Sequence, residues 1–82
     1  MSTIATEEQV EQVVIDALVS FGAERDEIDR EATFEALDVD SLDLAELAQI
    51  VEERFGVELR GSDVANVKTV GDAVTLIADR IS

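Results

Sequence analysis

Eighty-two residues make one small domain, of a size that buries only about 60% of the surface its unfolded chain exposes, which argues against a deep, enclosed active site. Twenty acidic residues against six basic ones leave a net charge of −14, which argues against a nucleic-acid backbone or an anionic membrane surface as ligand and points to basic partners. Cys, His, Tyr and Trp are all absent, so disulfides, thiolate and imidazole chemistry and the common nitrogen and sulfur metal ligands are excluded by inventory. Even so, 46% of the residues are apolar and they recur periodically, as in a folded domain and unlike a disordered acidic tail.

The start, Met1-Ser2-Thr3-Ile4, has neither a basic leader nor an apolar core of signal-peptide length, and the chain is expected in the cytoplasm. Thr6 reads as the N-cap of a first helix, with Glu7 and Glu8 favourable to the helix dipole and Gln9 completing a capping box. Val10, Val13, Val14, Ala17, Leu18 and Phe21 follow at helical spacing, and Gly22 suits the position just past the end. From Ala23 to Val39 periodicity fails and charge dominates. A connection this long in so small a domain is functional or packed down, and Ile28, Phe34 and Leu37 are its expected anchors.

A central helix is predicted from Asp40-Ser41-Leu42-Asp43 to about Phe55. Leu44, Leu47, Ala48, Val51 and Phe55 fall within an arc of about 100°, a core-facing stripe. Opposite them, Asp43, Glu46, Gln49 and Glu53 mix with Leu42 and Ile50, a surface better suited to a partner than to water. Ile50 is expected to pack under the preceding loop and Leu42 to meet the partner. Two readings of Ser41 follow from the local pattern. Either its hydroxyl caps the helix, or Asp40 does so with Asp43 reaching back, which leaves Ser41 first in the helix, its hydroxyl outward beside N–H groups that favour an anion such as a phosphate.

Gly56 supplies a left-handed stop, with Val57 placed to touch Val51 across it. Gly61 and Ser62 open at most one helical turn, Asp63 to Asn66, with Val64 and Val67 as buried candidates. Thr69 and Asp72 start a last helix whose Val70, Ala73, Val74, Ile77, Ala78 and Ile81 repeat the spacing of the first, and Arg80 sits where a cation suits the helix end. No strand pattern and no proline occur. The expected fold is all-α, a small four-helix bundle of three main helices and one short helix with a long first loop. Its three Phe and many Val and Ala are compatible with small internal voids and equally with a plain packed core.

Asp40-Ser41-Leu42-Asp43-Leu44-Ala45-Glu46-Leu47, followed by Glu52-Glu53-Arg54-Phe55-Gly56-Val57 and by Thr69-Val70-Gly71-Asp72, resembles the acyl carrier proteins over nearly the whole chain, so that residues 1–82 are expected to form one acyl-carrier domain. The resemblance implies that Ser41 is esterified with 4′-phosphopantetheine, donated by coenzyme A through a separate phosphopantetheinyl transferase, and that acyl intermediates ride on the arm as thioesters. It implies a carrier and not an enzyme. A serine acting as its own nucleophile needs a nearby His or Lys, and the one Lys, Lys68, lies in a distant loop.

In such carriers the second helix is the recognition helix. The resemblance thus assigns Asp40, Asp43, Glu46, Glu52 and Glu53 to Lys and Arg on partner enzymes, and Leu42, Ala45 and Gln49 to the apolar or neutral contacts between them. The implied partners are an acyltransferase, a ketosynthase or acyl-loading enzymes with basic docking patches, met by a monomer. Two departures stand out. Asp38 occupies a place where the family commonly has Gly, and Phe34-Glu35-Ala36-Leu37 matches the loop of polyketide-type carriers whereas Asp43 and Glu46 look like the fatty-acid type, leaving the pathway open.

Two rival readings remain to be compared. An EF-hand loop starting at Asp38 needs an oxygen ligand at its fifth position, Gly at the sixth and Glu at the twelfth; Leu42, Asp43 and Gln49 stand there, and no metal site is expected. The other is an acidic interaction module that binds a basic protein and carries nothing, which shares the helix face and differs only at Ser41.

Overall fold

The computed structural model describes residues 3–81, with the side chains of residues 3–6 and of Val64 outside the description. Helix α1 spans Thr3–Ser20, α2 Ser41–Phe55, α3 Gly61–Ala65 and α4 Val70–Ile81, with a 3-10 turn at Arg25–Glu27. Among the described residues the only β pairing is an isolated antiparallel bridge between Thr33 and Thr69, and no helix is long and apolar enough to cross a membrane.

α1 packs against α4 and α2. The apolar stripes predicted for them converge in one core, with Val10, Val14 and Leu18 from α1, Leu47 and Val51 from α2, and Val70, Val74 and Ile77 from α4 among its most buried members. Val57 is buried just beyond Gly56, whose φ of 70° is the expected left-handed stop. Helix α1 begins at Thr3, so Thr6 lies inside its first turn and is not the cap; the Thr6 side chain is outside the described ones. Nothing between Thr3 and Ala5 breaks a helix, so the pattern propagates back past the residue that looked like its start. Helix α3 likewise opens two residues before Asp63. The Asp63 carboxylate accepts the Arg60 N–H at 3.1 Å, which makes Arg60 the residue before the first turn. Asp63 also takes a 2.7 Å ion pair from Arg80. These two donors, the backbone amide first, hold its carboxyl below the usual aspartate range. Val64 was a buried candidate and lies outside the described side chains, while Val67 packs against the core.

The long connection is packed down, as expected. Ile28 and Phe34 are buried and Leu37 is half-buried against the core. Its backbone is stapled to the start of α4: Phe34 N–H donates to Lys68 O at 3.0 Å, Val70 N–H to Ala32 O at 3.0 Å and Gly71 N–H to Arg30 O at 2.9 Å. A Cβ at residue 71 would lie 2.9 Å from that same Arg30 oxygen, so only glycine lets α4 approach the loop this closely. On the other side, Arg30 bonds Glu11 at 2.8 Å and Glu7 at 3.0 Å, and Arg25 bonds Asp16 at 3.0 Å, tying the loop to α1. α4 itself starts as predicted, with Asp72 N–H on Thr69 Oγ1 at 3.0 Å and the Asp72 carboxylate accepting the Thr69 and Lys68 amides. Those two amides hold the Asp72 carboxyl low.

Asp38 has a φ of 59°, in the left-handed region. Val39 N–H reaches back to Phe34 O at 2.9 Å and Asp38 N–H to Glu35 O at 3.1 Å, the paired bonds of a Schellman ending, in which residue 38 holds the place glycine prefers. The backbone thus takes a glycine-like shape without the glycine. Asp38→Gly is expected to stabilise the fold by about 0.5–1 kcal/mol, the relieved left-handed cost of about 1–2 kcal/mol being partly offset by the freer unfolded chain. Thermal unfolding would show this as a rise of about 3–6 °C.

Candidate functional site

The site is built on the first turn of α2. Asp40 sits before it in extended conformation, its carboxylate accepting the Asp43 N–H at 2.9 Å, while the Asp43 carboxylate accepts the Asp40 N–H at 3.5 Å. Of the two readings of this helix start, the structure adopts the Asp40 capping box. Ser41 is the first helical residue and exposed. Its hydroxyl has no hydrogen-bond partner among the described residues, because Asp40 has taken the amides a cap at Ser41 would use, the Asp43 N–H on its carboxylate and the Leu44 N–H on its carbonyl. The box leaves the N–H groups of Ser41 and Leu42 without a backbone partner, as the first turn of any helix must. A phosphoryl group on the Ser41 oxygen would lie next to these amides and the positive end of the helix dipole, which is chemistry that fits it.

The outward side of α2 divides into three strips. Leu42, 78% exposed, points away from the bundle, and Glu46, Gln49 and Glu53 are exposed along the same strip. On one flank, Ser41, Ala45, Gln49 and Glu52 join Leu44 and Ala48 in a wall of an open groove of about 710 Å³, faced by Leu59, Arg60, Ala65 and Val67. On the other flank, Ile50, Glu53 and Arg54 border a second groove with Val13, Asp16 and Ala17 of α1. Ile50 was expected under the Ala23 to Val39 connection; it is half-buried against the core, and the residues beside it in this groove come from α1. Asp40 and Asp43 are drawn together in the cap; Glu46, Glu52 and Glu53 are spread along the helix. None of these five carboxylates takes part in an ion pair among the described residues, so the helix presents unneutralised negative charge.

Under the first groove lies an apolar cavity of about 20 Å³ that shares Leu44, Ala48, Leu59 and Val67 with it and is closed by Phe34, Leu47, Ala73, Leu76 and Ile77. Both readings of the interior are partly right. The core is packed here, since this volume holds little more than one water-sized probe, and the gap shares four of its lining side chains with the groove that Ser41 borders. Leu59 and Leu76 were missed from sequence. Leu59 stands alone between charged residues, with no period to mark it, and Leu76 lies at the edge of the α4 stripe.

Comparison with known proteins follows from this geometry. A family model described as a phosphopantetheine attachment site matches residues 8–77. An acyl carrier protein of Nitratidesulfovibrio vulgaris (strain DP4) is 37% identical over 78 residues, covering 94% of this chain and 99% of that protein. One from Chlamydia felis (strain Fe/C-56) is 36% identical over 78 residues, covering 94% and 96%. Among solved structures, an acyl carrier protein from Thermotoga maritima superposes with a TM-score of 0.74 at 21% identity, covering 92% of this chain and 88% of that one. The 3,7-dioxo-octyl actinorhodin acyl carrier protein from Streptomyces coelicolor gives 0.74 at 24% identity, covering 99% and 95%; at these identities the likeness is one of fold.

Proposed function

The chain belongs to the acyl carrier proteins, with their covalently attached 4′-phosphopantetheine, and from that premise we propose that Ser41 is the residue that bears the arm and that residues 1–82 act as one carrier domain. A carrier of this family is not itself a catalyst; it holds acyl groups and delivers them to biosynthetic enzymes. The arm supplies a terminal thiol for thioester formation, which a chain without cysteine cannot provide.

The observation that carries the assignment is the unpartnered, exposed Ser41 hydroxyl at the head of α2, released from capping by Asp40 and Asp43. With no histidine in the chain, the base that takes the Ser41 proton belongs to a separate phosphopantetheinyl transferase. Incubating the protein with coenzyme A and a broad-specificity transferase, then weighing it intact, tests the reading. An unmodified chain would instead favour the acidic module that carries nothing.

The partners in this reading are cytoplasmic acyltransferases, ketosynthases or acyl-loading enzymes of fatty-acid or polyketide assembly, and the carrier meets them as a monomer. Their basic patches face Asp40, Asp43, Glu46, Glu52 and Glu53, with Leu42, Ala45 and Gln49 making the contacts between. Leu42 is the apolar anchor, since a side chain so exposed beside the arm gains most by being covered. Glu46→Lys is the cleanest probe of this surface because Glu46, unlike Asp43, has no part in the cap. It is expected to lower acyl transfer from a loading enzyme by about tenfold at low salt, and less as salt screens the pair. Stability should change by no more than about 0.5 kcal/mol; a loss of helicity by circular dichroism would show that the residue is not on a free face.

A further inference from the structure

We infer that Arg60 makes the groove beside Ser41 selective for acyl chains that carry an oxo oxygen, by donating a guanidinium hydrogen bond to that oxygen. The inference rests on the reading of Ser41 as the attachment point.

Arg60 and Ser41 border the same groove. Apart from Gln49 and Glu52, the rest of its wall is apolar, as a chain of methylenes requires. The Arg60 guanidinium makes no ion pair or hydrogen bond among the described residues, in a chain with more than three acids for every base. The local structure explains why. Asp63, three residues on, is already held by Arg80 at 2.7 Å and by the backbone amide of Arg60 itself at 3.1 Å, and Glu58, two residues back, makes no ion pair among the described residues although it borders a shallow pocket with Arg60. Arg25, Arg30 and Arg80 are all paired. Arg60 is therefore a cation with its donors uncommitted, on the rim of the groove that an acyl chain on Ser41 would enter.

The chemistry of the occupant follows. A saturated chain laid in this groove covers apolar wall but offers the guanidinium nothing, and takes water from its donors at a cost. A chain with a carbonyl along it supplies a neutral acceptor for a charge-assisted bond. A carboxylate-ended chain would also satisfy the guanidinium, but it enters a field set by a net charge of −14 with Glu52 in the same groove. A neutral oxo group meets no such repulsion.

The test loads Ser41 of the full chain with octanoyl, 3-oxooctanoyl and adipoyl groups, using the corresponding coenzyme A thioesters and a transferase, in wild type and in Arg60→Gln. Loading is verified by intact mass before anything else is measured, so failure at Ser41 is seen as a missing arm and overturns the attachment reading together with this one. Thioester hydrolysis is then followed by mass, and the Arg60 Nε–H by NMR. The expected result is that Arg60→Gln speeds loss of the 3-oxooctanoyl group by about fivefold, the worth of one exposed hydrogen bond, leaves octanoyl unchanged, and that the Nε–H resonance shifts only with the oxo cargo. Equal effects on octanoyl and 3-oxooctanoyl, no effect on either, or a larger effect on adipoyl would overturn the assignment. The variant should fold, since Arg60 contributes only backbone bonds to α3.

Discussion

Ser41→Ala is expected to abolish the mass gain on incubation with coenzyme A and a transferase, and with it all acyl loading, while leaving the melting temperature where it was. Both halves follow from the head of α2. The oxygen removed is the one that would form the phosphodiester, and Ser41 carries the only hydroxyl lining the groove it opens, with neither Lys68 nor Thr69 among the lining residues, so no neighbour substitutes for it. The stability half separates the two roles a serine has at a helix start. A capping serine replaced by alanine costs about 0.5–2 kcal/mol. Here Asp40 accepts the Asp43 amide at 2.9 Å and the Ser41 hydroxyl holds nothing, so the change should stay within about 0.5 kcal/mol. A melting temperature several degrees lower would mean that the hydroxyl caps the helix and that the arm is borne elsewhere.

The largest effect on the fold is expected from Phe34→Ala. Phe34 is 4% exposed, and three roles meet in it. Its N–H donates to Lys68 O at 3.0 Å, its carbonyl accepts the Val39 N–H at 2.9 Å in the turn before α2, and its ring closes the cavity against Leu44, Leu47 and Ile77. Truncating a buried phenylalanine costs about 3–5 kcal/mol, the transfer free energy of the ring plus the cavity it leaves. Small domains have total stabilities toward the lower part of a range of about 5–15 kcal/mol, so much of the folding free energy is lost. The midpoint of thermal unfolding should fall by about 15–30 °C, with the protein partly unfolded at 37 °C in low salt, where its self-repulsion is strongest. A drop of only a few degrees would show that the loop is not anchored through this ring.

These two residues also mark where the amino-acid sequence was and was not enough. Phe34 was identifiable as an anchor because an isolated apolar side chain in a charged stretch must find cover. Its pairing with the start of α4 was not, because the Thr33–Thr69 bridge joins residues 36 apart in number and leaves no local pattern. Ser41 was identifiable as one of two capping alternatives. The choice needed coordinates, because Asp40 and Ser41 are both good caps and their chain order does not say which set of amides each will face. The starts of α1 and α3 were misplaced by four and two residues for a related reason: a helix runs back until something stops it, and a residue able to cap need not be used as one.

By itself the sequence determined what depends on neighbours within one or two turns: three amphipathic helices and a short one, the acidic face of α2, the capping box at Thr69, and a chain with no thiol or imidazole of its own. Only the tertiary structure decided how α2 divides between two grooves and open water, that Leu59 and Leu76 help to wall the cavity, that Asp38 carries a glycine-like backbone, and that Arg60 keeps its charge uncommitted beside Ser41. Helix periodicity is a local property of the chain. Which side chain closes a gap, and which charges pair and which stay uncommitted, are set by segments that meet only when the bundle closes.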